Sequence, residues 1–251
     1  VRVPDGWRVA VVGAVEEEAA TSRGARHVLA RQKPSFCVIG EPSGWERLTL
    51  GYKGRLLADY RYHGPLAHTA GPSLLPAERA VAFWNAAVAY AADFNRDREK
   101  AFQRLDASLR SIVTADQGSY GTVEMSLAFR LPLDLAPEEL AAEISALAGD
   151  GREGGGQAEL GFYGAEVAFL AGKNNDLVRA FLAAIRGRGG RPRFVLKTGT
   201  SDMNVVGPVW GCPIVAYGPG DSSLDHTPQE HIDLREYTRS IEILENSLTS
   251  I

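Results

Sequence analysis

Two acidic runs and one late histidine hold most of the chemical potential of this sequence. Glu16-Glu17-Glu18 follows directly on the apolar run of residues 9–15, and Glu41 follows Phe36-Cys37-Val38-Ile39-Gly40 in the same way. In parallel α/β sheets, ligands bind where strands end at their carboxyl edge. Each acidic run also has a structural use on its own. Carboxylates ahead of a helix complement its positive end, and Glu41 stands in a turn before Pro42. Two carboxylate sites at neighbouring strand ends favour a metal or a proton between them, because carboxylates brought together at low dielectric repel. His226 lies in Asp225-His226-Thr227-Pro228-Gln229-Glu230-His231. It is either a solvated loop residue or, with Glu18 and Glu41, a metal ligand, Asp225 then being its outer partner. Thr227 fits an N-cap, Pro228 the first helical position and Glu230 a reciprocal capping acceptor, which would hold His226 just outside a helix start. Lys197-Thr198-Gly199-Thr200-Ser201-Asp202-Met203-Asn204 is rich in donors that could cradle a carboxylate, or form only a tight turn and an N-cap. His63 and His68 flank a polar loop rich in glycine and proline.

Elements of two kinds must position these groups. Residues 9–15 form a nearly continuous apolar run, the pattern of a strand covered on both faces. A helix over about 22–31, stopped by Pro34, and a short buried strand over 36–40 complete a βαβ unit with a parallel sheet. The pattern then changes. Residues 48–62 alternate as one half-exposed strand, 74–94 form a long alanine-rich helix, and 108–114 and 122–131 read as strands around turn residues 116–119. A helix over 137–147, opened by Pro137, and a strand over 159–170 follow. The order β-α-β-β-α-β is that of a ferredoxin-like sandwich. The α/β grammar returns with a helix at 174–186, strands at 193–197 and 213–217, and a closing helix at 234–248. Residues 149–156 read as a flexible glycine-rich connection. The expected architecture is an α/β domain with a mostly parallel sheet, from 1–46 and 169–251, interrupted by a ferredoxin-like α+β domain over 47–168.

Composition narrows the partners. The 251 residues are 45% hydrophobic and 23% charged, the ordinary globular mix. Net charge is −4, so there is no basic footprint for nucleic acid or anionic lipid. No apolar run approaches the roughly 20 residues needed to cross a bilayer. Cys37 and Cys212 sit far apart inside apolar runs and read as reduced core residues of a cytoplasmic protein. The chain starts Val1-Arg2-Val3 without an initiator methionine and reads as the middle and end of something longer.

In order along the chain, Val15-Glu16-Glu17-Glu18, Gly40-Glu41-Pro42-Ser43, Gly51-Tyr52-Lys53-Gly54, Ala67-His68-Thr69-Ala70, Gly199-Thr200-Ser201-Asp202 and His226 resemble the zinc or cobalt aminoacylase and carboxypeptidase family. Its members include acetylornithine deacetylase and succinyl-diaminopimelate desuccinylase. The acidic run and the stretch Lys197 to Asn204 look most like its lysine-biosynthesis deacylase branch. The resemblance implies an amide hydrolase that frees lysine or ornithine from an N-acyl group or an amino-group carrier protein. It implies two divalent metal ions in the complete enzyme, with Glu18, Glu41 and His226 as ligands and Glu17 as general base, Glu16 taking the place of the family's usual aspartate. It assigns Lys197, Gly199, Thr200, Ser201, Asp202 and Asn204 to substrate binding. It also implies that the inserted domain acts as a lid and pairs two chains in a homodimer, with His68 crossing to stabilise the oxyanion of the neighbouring site.

The family's first metal-binding histidine and its bridging aspartate precede the acidic run, and residues 1–15 hold no histidine and only Asp5. The expectation is therefore a chain lacking the front of its catalytic domain, with few or no metals bound and little activity alone. Two other readings stand beside it. One is a dipeptidase or carboxypeptidase of the same family, and the other a non-catalytic, dimerising amino-acid-binding protein.

Overall fold

The computed structural model describes residues 5–150, 152 and 155–251, so part of the glycine-rich stretch 149–156 lies outside the described residues. The chain divides into two compact units, Val1–Tyr52 with Phe169–Ile251, and Lys53–Ala168.

The first unit is a five-stranded sheet with helices on both faces. Its elements are α1 (Arg23–Leu29), β1 (Cys37–Ile39) and β2 (Arg47–Tyr52), then, after the other unit, β7 (Phe169–Leu170), α4 (Asp176–Gly187), β8 (Arg193–Lys197), α5 (Asp202–Trp210), β9 (Ile214–Ala216) and α6 (Leu234–Thr249). The strand order is β1-β9-β2-β7, and β8 also pairs with β2. The sheet is mixed, where the sequence suggested a mostly parallel one. β1 with β9 and β2 with β8 are parallel, while β2 runs antiparallel to β9 and β7. The cause is the connection between β1 and β2, which is too short for a helical crossover. Gly44, at φ 81°, helps turn the chain back there.

Leu48, Leu50 and Val215 pack against Val178, Phe181 and Ile185 of α4 and Ile243 of α6. On the opposite face Tyr52, Ile214 and Ala216 pack with Ala25 of α1 and Met203 and Val206 of α5. Tyr52 reaches that second face because the register between β2 and β8 shifts between Thr49 and Gly51. A bulge re-aims the side chains that follow it. Gly51 permits the close approach, since a Cβ there would stand 2.6 Å from the Phe169 carbonyl oxygen.

The expected first strand does not form. Residues 9–14 carry no strand ladder, and Val11 is 94% exposed. An extended run becomes a strand only when neighbouring backbone pairs with it. Here the Val15 carbonyl accepts one hydrogen bond, from Gly24 N–H at 2.9 Å, which ties the run to the start of α1.

The second unit contains β3 (Gly54–Pro65), α2 (Pro76–Phe94), a 3-10 turn (Ala101–Gln103), β4 (Asp106–Gln117), β5 (Tyr120–Leu131), α3 (Pro137–Ala148) and β6 (Gln157–Glu166). The order β4-β5-β3-β6 is antiparallel throughout. Alternate residues Leu56, Ala58, Tyr60 and Tyr62 of β3 and Val123, Met125, Leu127 and Phe129 of β5 point into one core. Phe83 and Ala87 of α2 and Leu140 and Ile144 of α3 cover that face. Pro76 and Pro137 open the two helices, where a missing N–H costs nothing. The single strand read over 48–62 is two strands in two different units. Lys53, between them, is fully buried and its ammonium donates to the carbonyls of Ala101 and Arg104 and to Asp106.

Candidate active site

Glu41 leaves the sheet at the carboxyl end of β1 and is held there by backbone contacts with the end of β9. Tyr217 N–H donates to the Ile39 carbonyl at 2.9 Å and Ser43 N–H to Gly218 at 3.0 Å. Gly218 lies so close that a Cβ would stand 2.8 Å from the Glu41 carbonyl oxygen. Burial pushes the Glu41 carboxyl up to about 7, and the charges of Glu17, Asp225 and Glu18 add to it while Lys197 opposes them. Lys197, at the end of β8, donates to the Pro42 carbonyl, and its ammonium lies 5.9 Å from the centre of the Tyr52 ring. Burial lowers its pKa, with Glu41, Asp225 and Asp221 pulling it back up.

The acidic run forms a turn before α1. Glu16 adopts φ 58° and its carboxylate accepts from Thr21 Oγ1 at 2.6 Å and from the Arg23 guanidinium at 3.2 Å. Its part is thus to close the turn that presents its two neighbours. Glu17 is half-buried and its charge reaches Glu41. Glu18 is exposed and pairs with His226, Nε2 to Oε2 at 3.3 Å. His226 is also in the left-handed region, at φ 61°. Such non-glycine conformations cost of order 1 kcal/mol or more and gather at functional sites.

The helix start expected at Thr227-Pro228 is absent. Residues 222–229 form successive turns, Thr227 Oγ1 donates to the Leu224 carbonyl, and α6 begins only at Leu234 with Asp233 as its N-cap. Local capping chemistry at Thr227 lost to a real cap six residues later, where Asp233 accepts from Arg235 N–H at 2.7 Å.

The stretch after β8 resolves into two parts. Gly199 and Thr200 form the loop, while Ser201 caps α5 by accepting from Met203 N–H and donates its own N–H to Asn204 Oδ1 at 2.9 Å. Ser201 and Asn204 are therefore a capping box in which asparagine stands in for the usual glutamate, and Asp202 is buried at the first helical position. His68 lies in the other unit, exposed in the loop after β3, where its Nδ1 accepts from Ala70 N–H at 3.1 Å. Sequence reasoning gave Tyr52 no role at the site. Burial and then the Glu41 charge hold its phenol far above the ordinary range. Its signal was faint, because only the bulge in β2 turns it toward this side of the sheet.

Glu17, Glu18, Glu41, Asp225, His226 and Lys197 thus form one electrostatic centre. A water molecule beside Glu17 could be deprotonated there, and a developing anion near Lys197 would be stabilised. A metal centre is a stricter demand. A zinc site needs three or four protein donors. Among the described residues no group of three His, Cys, Asp or Glu side chains could hold a metal. The expected set of Glu18, Glu41 and His226 is realised only as the Glu18–His226 pair, with Glu41 coupled to it through charge. The described residues do not fit a complete metal centre.

In metal-free protein the Glu41 carboxyl should titrate near about 7, and Glu17→Gln should lower the midpoint by removing a repelling charge. The folded value lies above the unfolded one. The associated stability is therefore present in full below about 4.5 and lost as pH rises through about 7. Carboxyl carbon NMR of the two proteins measures both midpoints. An ordinary Glu41 midpoint, or one indifferent to Glu17, would refute the account.

Comparison with known proteins places the chain in a family. The chain is 43% identical over 248 residues to a LysW-lysine hydrolase from Deinococcus radiodurans, covering 97% of this chain and 67% of that protein. Its fold matches the aminopeptidase PepT from Bacillus cereus with a TM-score of 0.71 at 18% identity, over 94% of this chain and 62% of that one. It matches the M20 family metallo-carboxypeptidase Sso-CP2 from Sulfolobus solfataricus with a TM-score of 0.64 at 17% identity, over 94% and 68%. The chain spans about two thirds of the length of these relatives. The family model for peptidase family M20/M25/M40 matches residues 2–250, and the chain belongs to that family.

Proposed function

We propose that the chain supplies part of the active site of an amide hydrolase that releases lysine, or ornithine, from an N-acyl or carrier-protein-linked precursor in amino-acid biosynthesis. The observation that supports this most is the half-buried Glu17, whose charge raises Glu41, in a chain 43% identical to a LysW-lysine hydrolase. Glu17 takes a proton from the attacking water and returns it to the leaving amine, the task of a general base then acid. Lys197 and the stretch holding Gly199, Thr200, Ser201, Asp202 and Asn204 bind the substrate's carboxylate, with Ser201 and Asn204 also forming the capping box of α5. His68 crosses to the neighbouring chain's site and supplies the donor that stabilises the oxyanion there. Its unit serves as a lid and pairs two chains in a homodimer. A divalent centre, zinc or cobalt, would need donors beyond Glu18 and His226. No helix among the described residues is long and apolar enough to cross a membrane. A cytoplasmic location accords with a biosynthetic role.

Substrate competition tests the reading. Carrier-linked lysine, N-acetyl-lysine and N-acetyl-ornithine should each be compared with lysyl dipeptides. The expected result is that kcat/KM favours one of the acyl or carrier-linked substrates over every dipeptide by about tenfold or more, a difference of about 1.4 kcal/mol. A preference for dipeptides would replace this reading with that of a dipeptidase or carboxypeptidase.

A further inference from the structure

Glu236 lies in the first turn of α6, and its carboxylate meets two loops of the first unit at once. One oxygen, Oε1, accepts from the Trp45 N–H at 3.0 Å and from the Gly220 N–H at 3.3 Å. Both amides stand just beyond the parallel ladder of β1 with β9. That ladder ends at Ile39 and Ala216, and the bonds from Tyr217 N–H to Ile39 and from Ser43 N–H to Gly218 carry the pairing a little further. At Trp45 and Gly220 each loop then offers a donor, and two donors cannot satisfy one another. A shared carboxylate oxygen satisfies both, with the added strength of an ionised acceptor.

Each loop carries members of the acidic centre. Glu41 precedes Trp45 in the first, where Ser43 Oγ donates to the Glu41 carbonyl at 3.3 Å and lies 2.9 Å from Thr49 Oγ1. Asp225 and His226 follow Gly220 in the second through successive turns. The Asp221 carboxylate accepts from Ser223 N–H at 2.9 Å, the Asp221 carbonyl from Leu224 N–H at 3.0 Å, and the Leu224 carbonyl from Thr227 N–H at 3.0 Å. A shift of Gly220 is therefore passed along to His226. The bridge also has a firm base. Ile243 anchors α6 against Val178, Phe181 and Ile185 of α4. Arg239 lies over the Trp45 ring, 4.4 Å from its centre, and the Tyr217 hydroxyl donates to the Trp45 carbonyl at 3.1 Å.

We propose that Glu236 is a positioning residue, whose carboxylate bridges the Trp45 and Gly220 amides and so sets where Glu41 and His226 stand relative to one another. It acts through the two loops and not on the substrate. What the bridge needs is an acceptor oxygen more than a charge. Glu236→Gln keeps that oxygen and should keep the bridge, whereas Glu236→Ala leaves both N–H groups without it. A misplacement of about 1 Å among reacting groups can cost about a hundredfold in rate. The consequence for rate rests on the hydrolase reading, while the bridge itself does not.

Amide hydrogen exchange and nitrogen–proton correlation spectra of the parent, Glu236→Ala and Glu236→Gln, taken at one pH, test the bridge. In Glu236→Ala the Trp45 and Gly220 amides should exchange about tenfold faster or more. The backbone amide peaks of Glu41 and His226 should move, while those of α4 and β5 keep their places. Glu236→Gln should return all four amides toward the parent. In the complete enzyme, Glu236→Ala should lower kcat on an acyl-lysine substrate about tenfold or more with KM within about twofold, and Glu236→Gln should stay within about threefold of the parent. Unmoved Trp45 and Gly220 amides, unmoved Glu41 and His226 peaks, or a glutamine variant that restores neither would overturn the proposal. So would a parent-like kcat in Glu236→Ala, or loss of the α4 signals, which would make Glu236 a support of the whole unit. A complete enzyme that releases no amine would overturn the hydrolase reading alone, and the amide signals would still decide this one.

Discussion

Lys53→Met should destabilise the unit formed by Lys53–Ala168 by about 3–5 kcal/mol, the usual consequence of removing one partner from a buried ionic group. The Lys53 side chain is 0% exposed, and its ammonium has three hydrogens for three acceptors. Those are the Ala101 carbonyl at 3.2 Å, the Arg104 carbonyl, and Asp106 Oδ2 at 2.5 Å. Burial draws the ammonium pKa down, and the hydrogen bond to Asp106 draws it back up. Methionine matches the length of the stem but offers no donor, so two carbonyls at the turn before β4 lose their partner. Asp106→Asn should cost much less, because Asp106 is 47% exposed and water can serve it. Chemical denaturation of the three proteins separates these effects. A Lys53→Met loss below about 1 kcal/mol, or one no larger than that of Asp106→Asn, would show that the buried ammonium is not what joins β3 to the turn before β4.

The sequence was most legible where one residue pattern met one environment. The alternation of Val123, Met125, Leu127 and Phe129 marks β5 because one face of that strand is core, and Pro76 and Pro137 mark the helix starts because proline suits the first turn. It was least legible where the outcome depends on partners far along the chain. Residues 9–15 are as apolar as a buried strand, yet apolar character does not create a ladder. Alternation over 48–62 continues unbroken through a change of unit, because Lys53, an unremarkable charge in the sequence, is buried by acceptors some fifty residues away. The positions of Glu41 and of the acidic run at the site could be read as residues that follow apolar runs. The pairing of Glu18 with His226 is a contact across more than two hundred residues, which spacing cannot supply. Tyr52 was hidden for a different reason, since a one-residue register shift decides which face it joins.

In the enzyme with its metal centre complete, Glu17→Gln should lower kcat by ~10²–10⁴ with KM little changed, the share of rate that a positioned acid–base group contributes. Glutamine keeps the size of the side chain and its hydrogen-bonding reach but cannot accept the proton of water. The family resemblance implies this role for Glu17, the half-buried member of the acidic run, whose charge raises Glu41. The variant's fold is checked by the Glu41 midpoint, which should fall but remain a single titration. The most direct measurement is the initial rate of amine release from the best acyl-lysine substrate, taken for the parent protein and Glu17→Gln in the same preparation. The proposed centre requires release by the parent and a loss of at least about a hundredfold in the variant. A Glu17→Gln rate within about threefold of the parent would contradict it, because the proton would then be handled by another group.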